Sequence, residues 1–514
     1  MAADSWSIQP GHALGFMSTR IPPSTSTRQL TTNLNLALGA ALQDILSTIA
    51  ADKDLFTTID INFSQSEPLT APVVVTLPDN GLRLRFDGAD QRLRLIEVTD
   101  LTKSILVYKG MELVRSQEIT LTAVGPAFKR VYQMFGASYP GEYMPPAPGK
   151  NEGTYVLSWP GVAFNFPLQH SAWSPEKDHV SLLGSQAAGP AAQMAIFEGK
   201  TWSDSRRALF VREPTGPRST ALASRPRDSL PAEIESAIIE PGKRVIFERR
   251  QPAPPFTIYL NETTPQDLIT ELGAPDAAFK PTVKESTPTQ PNHKRTGSAT
   301  RPRSGTRLHS GSQPSSYSST NTDSFETDFD SEDADEDPAE RANRAAYWCY
   351  FGHGMDILVG PPSEPEGSRG NSTLLGANPD LVVKRVVIQG NVPGSAAFNR
   401  HRRLRWTLEL PSTSDDFILH SECNFEHELK PTLLQTYSEA AKDAQTAMGR
   451  VINRCWDDPM DSGFFLPDQD RDEADDGSAR GSEAWLGNVR LFQFPGVMFE
   501  VLQNGAVAGV YVTT

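Results

Sequence analysis

Val73-Val74-Val75-Thr76-Leu77-Pro78-Asp79-Asn80-Gly81-Leu82-Arg83-Leu84-Arg85-Phe86 runs as two strand-like halves around a four-residue turn, the second half strictly alternating. Period two is the spacing of a strand with one buried face, and Pro-Asp-Asn-Gly supplies residues that relieve a backbone reversal. The stretch therefore predicts a β-hairpin. The pattern returns three times: Tyr155–Trp159 then Gly161–Phe166, Tyr347–Phe351 then Gly354–Val359, and Val489–Phe494 then Gly496–Val501. Each copy has a turn of matching chemistry: Trp159-Pro160-Gly161, Gly352-His353-Gly354 and Phe494-Pro495-Gly496.

Working outward, a third strand is expected downstream of each hairpin, at Leu93–Val98, Met194–Phe197, Val382–Ile388 and Val507–Val512. A helix is expected upstream. In the third copy Thr264 suits an N-cap, Pro265 the first helical position and Asp267 the positive helix end. There Gly273 suits an αL stop, and Pro275 blocks continuation. The second copy carries Val131-Tyr132 and Phe135-Gly136, and the first places Leu42, Ile45, Leu46 and Ile49 on one helical face. In the fourth, Leu433–Met448 reads as a helix with Gly449 as its stop.

The repeating unit is helix, strand, turn, strand, loop, strand. One unit buries too little apolar surface to stand alone, so units should pair. The expected class is α+β, with repeated helix–hairpin–strand units forming antiparallel sheets packed on helices. Residues 1–200 make a first module of two units. Residues 233–280 begin a second, which 344–514 complete. Residues 201–232, rich in Arg, Pro and Ser, read as a loose insert. Residues 281–343 are Ser/Thr/Pro/Gly-rich, first basic (Lys294, Arg295, Arg301, Arg303, Arg307) and then acidic from Asp323 to Glu340. So few apolar groups cannot offset the entropy of ordering, and disorder is expected. A shorter acidic loop spans 468–484. The Arg-x-x-Ser and acidic Ser contexts suit phosphorylation.

Composition narrows the function classes. The chain has 514 residues, a formal net charge of −15 and 38% hydrophobic residues. Its mean hydropathy is −0.40. General nucleic-acid binding needs a basic footprint that this balance lacks. Cys349, Cys423 and Cys455 are far apart and odd in number, which points to a reducing compartment. The start, Met1 to Trp6, has no signal-like pattern, and no run is apolar enough to span a bilayer.

Catalytic and metal signatures fail on inspection. His420, Cys423 and His427 lie within eight residues, but no second ligand pair follows at zinc-site spacing. Asp468, Asp470 and Asp472 open like a calcium loop, yet Glu473 occupies the glycine position and Ala479 the bidentate one. Phosphate-loop, nucleophile-elbow, dinucleotide and zincin motifs do not occur. No catalytic residue, cofactor or metal is expected.

The positive signal is basic. Arg83 and Arg85 alternate with Leu82, Leu84 and Phe86, and Arg92 and Arg94 alternate with Leu93 and Leu95. Period two places all four on the outer face of one sheet, with Lys103 nearby. They form a candidate anionic-lipid patch, because guanidinium groups chelate phosphate. The plainer alternative is a solvated face that also discourages edge pairing. A second basic group is Arg400-His401-Arg402-Arg403-Leu404-Arg405.

Several segments together resemble the phagosome assembly factor 1 family, long catalogued as Lin-10-related. They are Gln91–Lys103, Phe135–Tyr143, Gly161–Phe166, Leu272-Gly-Ala-Pro275, Tyr350–Leu358, Asn391-Val-Pro-Gly394 and Met498–Asn504. Their order holds from about residue 14 to the C-terminus, interrupted at 201–232, 281–343 and 468–484. In the fourth unit Met448-Gly449-Arg450 stands where the family's Leu-Gly-x-Pro is expected. The resemblance implies a non-enzymatic adaptor or scaffold in autophagy. It also implies a WD40-type β-propeller partner of the breast carcinoma amplified sequence kind. Cytoplasmic residence with phosphoinositide-linked recruitment to the phagophore assembly site follows from it too. The alternative is a Golgi-associated membrane-trafficking adaptor.

Overall fold

The computed structural model describes residues 5–17, 34–114, 125–219, 232–250, 252–280, 345–362, 381–410, 418–438, 448–453 and 488–514. The first half holds thirteen strands. They are β1 (Ser5–Gln9), β2 (Ala13–Met17), β3 (Asn35–Ala37), β4 (Asp60–Asn62), β5 (Val73–Leu77), β6 (Leu82–Phe86) and β7 (Leu93–Val98). There follow β8 (Ile105–Tyr108), β9 (Met111–Glu112), β10 (Glu142–Met144), β11 (Glu152–Trp159), β12 (Val162–Gln169) and β13 (Gln193–Phe197). Five form one sheet in the order β3-β2-β1-β8-β9, and eight form another, β10-β11-β12-β13-β7-β6-β5-β4.

The second half repeats the plan. Its strands are β14 (Ile234–Glu240), β15 (Arg244–Arg249), β16 (Phe256–Tyr259), β17 (Ala277–Phe279), β18 (Ala346–Tyr350), β19 (Met355–Gly360) and β20 (Val382–Gln389). The rest are β21 (Arg405–Leu408), β22 (Leu419–His420), β23 (Arg450–Asn453), β24 (Asn488–Phe494), β25 (Val497–Val501) and β26 (Val507–Thr513). Adding thirteen to each strand number of the first half reproduces both strand orders of the second. The helices correspond as well: Leu42–Ala51 with Pro265–Leu272, and Phe128–Phe135 with Lys430–Thr436. The molecule is an internal duplication.

All four expected hairpins and third strands are present. Each eight-stranded sheet joins two units through their last strands, with Ile96 opposite Ile196 in one and Ile388 opposite Val510 in the other. Each unit also gains a short edge strand that the hairpin pattern did not predict: β4, β10, β17 or β23. The eight-stranded sheets are antiparallel throughout, as expected. The five-stranded sheets were not foreseen, and each contains a parallel pair, β1 with β8 and β14 with β21. A parallel pair needs a long crossover, and a whole unit of helix and strands lies between its two members.

The core of each half lies between its two sheets. In the first, Trp6, Ile8 and Leu106 meet Ile45 and Ile49 of the helix and Val75, Leu84, Ile96, Phe164 and Ile196 of the large sheet. Leu42, Ile45, Leu46 and Ile49 are all buried, each worth about 1.5–3 kcal/mol of transfer free energy. The second core repeats this with Ile239, Trp406, Leu268, Phe425, Ile357, Phe499 and Val510.

Helix details differ from expectation at two points. The Thr264–Asp267 capping box forms, but Gly273 adopts φ 84° and ψ −172°, outside the αL region. Gly136 does the same at φ 84° and ψ −161°. In the fourth unit the helix begins earlier, with a π-helical turn Phe425–Leu429 running into Lys430–Thr436. The expected continuation over 439–447 lies outside the described residues. So do the segments 281–343 and 468–484. Residues 201–219, read as part of a loose insert, are placed: Thr201 caps a helix Trp202–Ala208 whose Trp202 packs on the outer face of the sheet, near Val156 and Phe197.

Each half is stapled by a pair of Pro-Gly turns. Gly11 donates its N–H to the Gly161 carbonyl at 3.0 Å, and Gly242 donates to Gly496 at 3.2 Å. A Cβ on Gly161 would lie 2.0 Å from the Gly11 nitrogen, at a φ of +80° that disfavours side chains. Gly110 has a similar φ of +78° with nothing within 4 Å of its Cβ position. Gly110→Ala should therefore cost only the conformational strain, about 1–2 kcal/mol. Gly161→Ala should add the clash and lower the melting temperature clearly further. Equal melting temperatures for the two variants would remove the staple.

Candidate functional site

The candidate lipid patch splits when folded. Arg83 and Arg85 sit half-exposed on the outer face of β6, as period two requires. Arg85 Nε donates to Glu97 Oε2 at 2.7 Å, and Arg83 lies 3.8 Å from the same carboxylate. Lys103 is exposed and donates to the Pro78 carbonyl at 2.6 Å. Arg92 and Arg94 are instead buried, at 3% and 8% exposure. Arg94 falls at a bulge, where Phe86 pairs with Leu93 but Arg85 with Leu95, so it has no partner in the ladder. Residues 201–219 cover both: the Arg212 carbonyl accepts from Arg94 and the Gly216 carbonyl from Arg92.

The buried arginines belong to a seam between the halves. Arg94 pairs with Asp87 at 2.6 Å, and Arg218 with Asp90 at 2.7 Å. Arg92 Nε donates to Gly39 O at 2.8 Å. The second basic group completes the seam: His401, Arg402 and Arg403 are buried at 3%, 6% and 1%. Arg403 crosses to the first half, donating to Ala89 O at 2.6 Å, and also binds Glu422 at 3.0 Å. The Gln91 side-chain amide donates to the Asn391 backbone carbonyl and accepts from Asn391 Nδ2, each at 2.8 Å. Apolar contact flanks them, with Leu69 of the first half packed beside Val392, Val489, Leu502 and Ala506 of the second.

Sequence reasoning missed the acidic half of this seam: Asp87, Asp90, Glu233 and Glu422. The one available signal was the polar loop Asp87-Gly88-Ala89-Asp90-Gln91-Arg92 set between two apolar strands.

Burial alone would raise the Asp90 carboxyl, but Arg218 outweighs it and holds the group below the ordinary range. Glu422 behaves alike: burial opposes ionisation, and His420, Arg403 and Arg405 overcome it. His420 is pushed up to about 10, first by its hydrogen bond with Cys423 and then by Glu422. Burial and the nearby Arg402 charge press the His353 ring down to about 4.

None of these groups is set up as a nucleophile. Burial, followed by the neighbouring Asp356, pushes the Cys349 thiol well above its usual range, so the reactive thiolate is suppressed. Asp356 is itself held by His401 and Gln389, each at 2.8 Å. A cleft of about 310 Å³ opens beside Arg94, lined by Glu198, Lys200, Asp204, Ser205 and Arg212, with no His or Cys in its wall. Among the described residues, no three His, Cys, Asp or Glu side chains gather as a metal site, and no helix is long and apolar enough to cross a membrane.

The architecture is that of two duplicated modules locked by a polar seam. The family model for phagosome assembly factor 1 matches residues 32–301, and the chain belongs to that family. It is 23% identical to a PHAF1 protein of Arabidopsis thaliana over 72% of each chain. A PHAF1 protein of Caenorhabditis elegans is 26% identical over 30% of this chain and 33% of its own. One of Drosophila melanogaster is 24% identical over 47% and 54%. No solved structure matches the chain.

The depressed His353 value makes folding acid-sensitive. The unfolded ring, with its value near 6.5, binds a proton that the folded ring refuses until about pH 4. Stability is therefore complete above about pH 6.5 and declines as pH falls toward 4. Asp90 and Glu422, held low, weaken the fold only below the ordinary carboxylate range, about pH 4. Denaturant midpoints measured from about pH 7 to about pH 4.5 should fall in the native chain and stay flatter in His353→Phe. Parallel declines would place the acid sensitivity elsewhere.

Proposed function

We propose that this chain is a non-enzymatic scaffold in phagosome assembly during autophagy. In this reading it acts with a WD40-type β-propeller partner in phosphoinositide-linked recruitment to the phagophore assembly site. Family membership carries the assembly role. Support for a non-catalytic role comes from the fate of the polar side chains. His401 is paired with Asp356, and Cys349 is held as a thiol. What remains for function is surface: the outer sheet faces and the free edge strands.

Arg83, Arg85 and Lys103 are the part of the expected patch that stays accessible for an anionic membrane. Glu97 partly neutralises them, so their contact with lipid would be weak and salt-sensitive, and a protein partner would supply most of the affinity.

Two experiments test the reading. Affinity purification of the tagged chain from starved and fed cells should recover a β-propeller protein together with autophagy components. Recovery of coat or Golgi-tether proteins alone would replace the proposal with a trafficking role. For the lipid contact, Arg83→Glu/Arg85→Glu should weaken binding to anionic vesicles by roughly thirtyfold at low salt, since each basic residue near a membrane contributes about 1 kcal/mol. Unchanged binding would leave lipid recognition to the partner alone.

A further inference from the structure

The seam carries more positive charge than its own residues neutralise. Arg92, Arg218, Arg250 and Arg402 converge on one short region. Gly216 O accepts from both Arg92 and Arg250, Glu233 Oε1 accepts the Arg218 N–H at 2.8 Å, and Ile234 O accepts from Arg402 at 2.8 Å. Among the described residues, Asp90 and Glu233 stand against these four cations. Asp90 lies 2.7 Å from Arg218 and 3.9 Å from Arg92, and Glu233 lies 3.8 Å from Arg250.

Arg402 is the anomaly. It is 6% exposed, and among the described residues no carboxylate lies within ion-pair distance of it. Its Nε has no hydrogen-bond partner, and neither has the Nε of Arg218, which is 4% exposed. An uncompensated buried guanidinium is costly, and a buried donor without an acceptor adds to that cost. Two surplus charges and two orphaned donors in one place describe a missing acceptor with a double negative charge. Arginine forks match tetrahedral oxyanions in shape and charge.

We propose that the seam binds a phosphate-type dianion, held by Arg402 and Arg218 and completing the closure of the two halves. Burial and the Arg218 charge press Arg402 down to about 9, which is the strain such a ligand would relieve. The bound group is either inorganic phosphate or the phosphate of a small ester. It differs in place and depth from any contact made by Arg83 and Arg85.

Full-length protein should be desalted, denatured and assayed for released phosphate before and after acid hydrolysis. About one equivalent per chain is expected. Release without hydrolysis identifies inorganic phosphate, and release only after it identifies an ester. Protein stripped of the ligand should melt about 3 °C or more higher in about 10 mM inorganic phosphate than in chloride of equal ionic strength. Arg402→Met should abolish that increment and lower the melting temperature in phosphate. If the seam is empty, the same variant removes an unpaired buried charge and melts higher in every buffer, which overturns the proposal. So does native protein with no released phosphate and no increment, a result that stands even if the variant fails to fold.

Discussion

The ladder between β7 and β13, with Ile96 opposite Ile196, is the joint on which the architecture rests. A unit of four strands and one helix has an apolar inner face and an open last strand. Left alone it would expose both, and its small core could not offset the entropy of ordering. Pairing two last strands removes both open edges at once and makes an inner face wide enough to take a second sheet. The same joint recurs between β20 and β26, where Val386 faces Val512. Once the large sheet exists, the turn at Gly11 can reach the turn at Gly161 only because Gly161 has no side chain. The five-stranded sheet is thereby fixed over the core.

Having made one module twice, the chain must dock the copies without leaving either sheet face open to a wrong partner. It does so with polar groups. Arg403 donates to Ala89 O, and Gln91 and Asn391 bond each other across the seam. A misaligned docking would leave these buried donors and acceptors unpaired, at about 1–3 kcal/mol each. The duplication supplies an internal comparison. Both halves carry the same bulge, at Arg94 in one and Lys384 in the other. Lys384 donates to Asn261, and Arg94 donates to Asp87 and to the Arg212 carbonyl. The same backbone device thus carries a long cation in both copies, and each finds an acceptor within its own half.

Local periodicity made the hairpins legible, since each strand has one face on the core and the turn residues match the turns observed. The five-stranded sheet had a readable signal too: Trp6 and Ile8 alternate, Pro10-Gly11 turns, and Leu14 and Phe16 are buried beyond. That hairpin repeats the turn chemistry of the others but lies outside the helix–hairpin frame, so the frame hid it. The edge strand Asp60-Ile61-Asn62 is too short and polar to stand out. Arg92 and Arg94 show the limit of the period-two rule, because residues 201–219, remote in sequence, cover them. The Gln91–Asn391 pair spans 300 positions, and nothing in either local stretch marks them as partners.

The distribution of polar chemistry separates what folds this chain from what it offers to others. His401 and Arg403 are spent on its own structure, Cys349 is held as a thiol, and the cleft beside Arg94 has no His or Cys in its wall. At the accessible basic row, Glu97 balances Arg83 and Arg85. A balanced surface of this kind gives low affinity for any single target. In the proposed function, useful binding comes from two weak contacts made together, one to a protein and one to a charged surface. A rigid, twice-repeated frame raises the effective concentration of the second contact once the first is made. Rigidity is what the seam provides, so the interior charge network and the exterior recognition surface are two parts of one design.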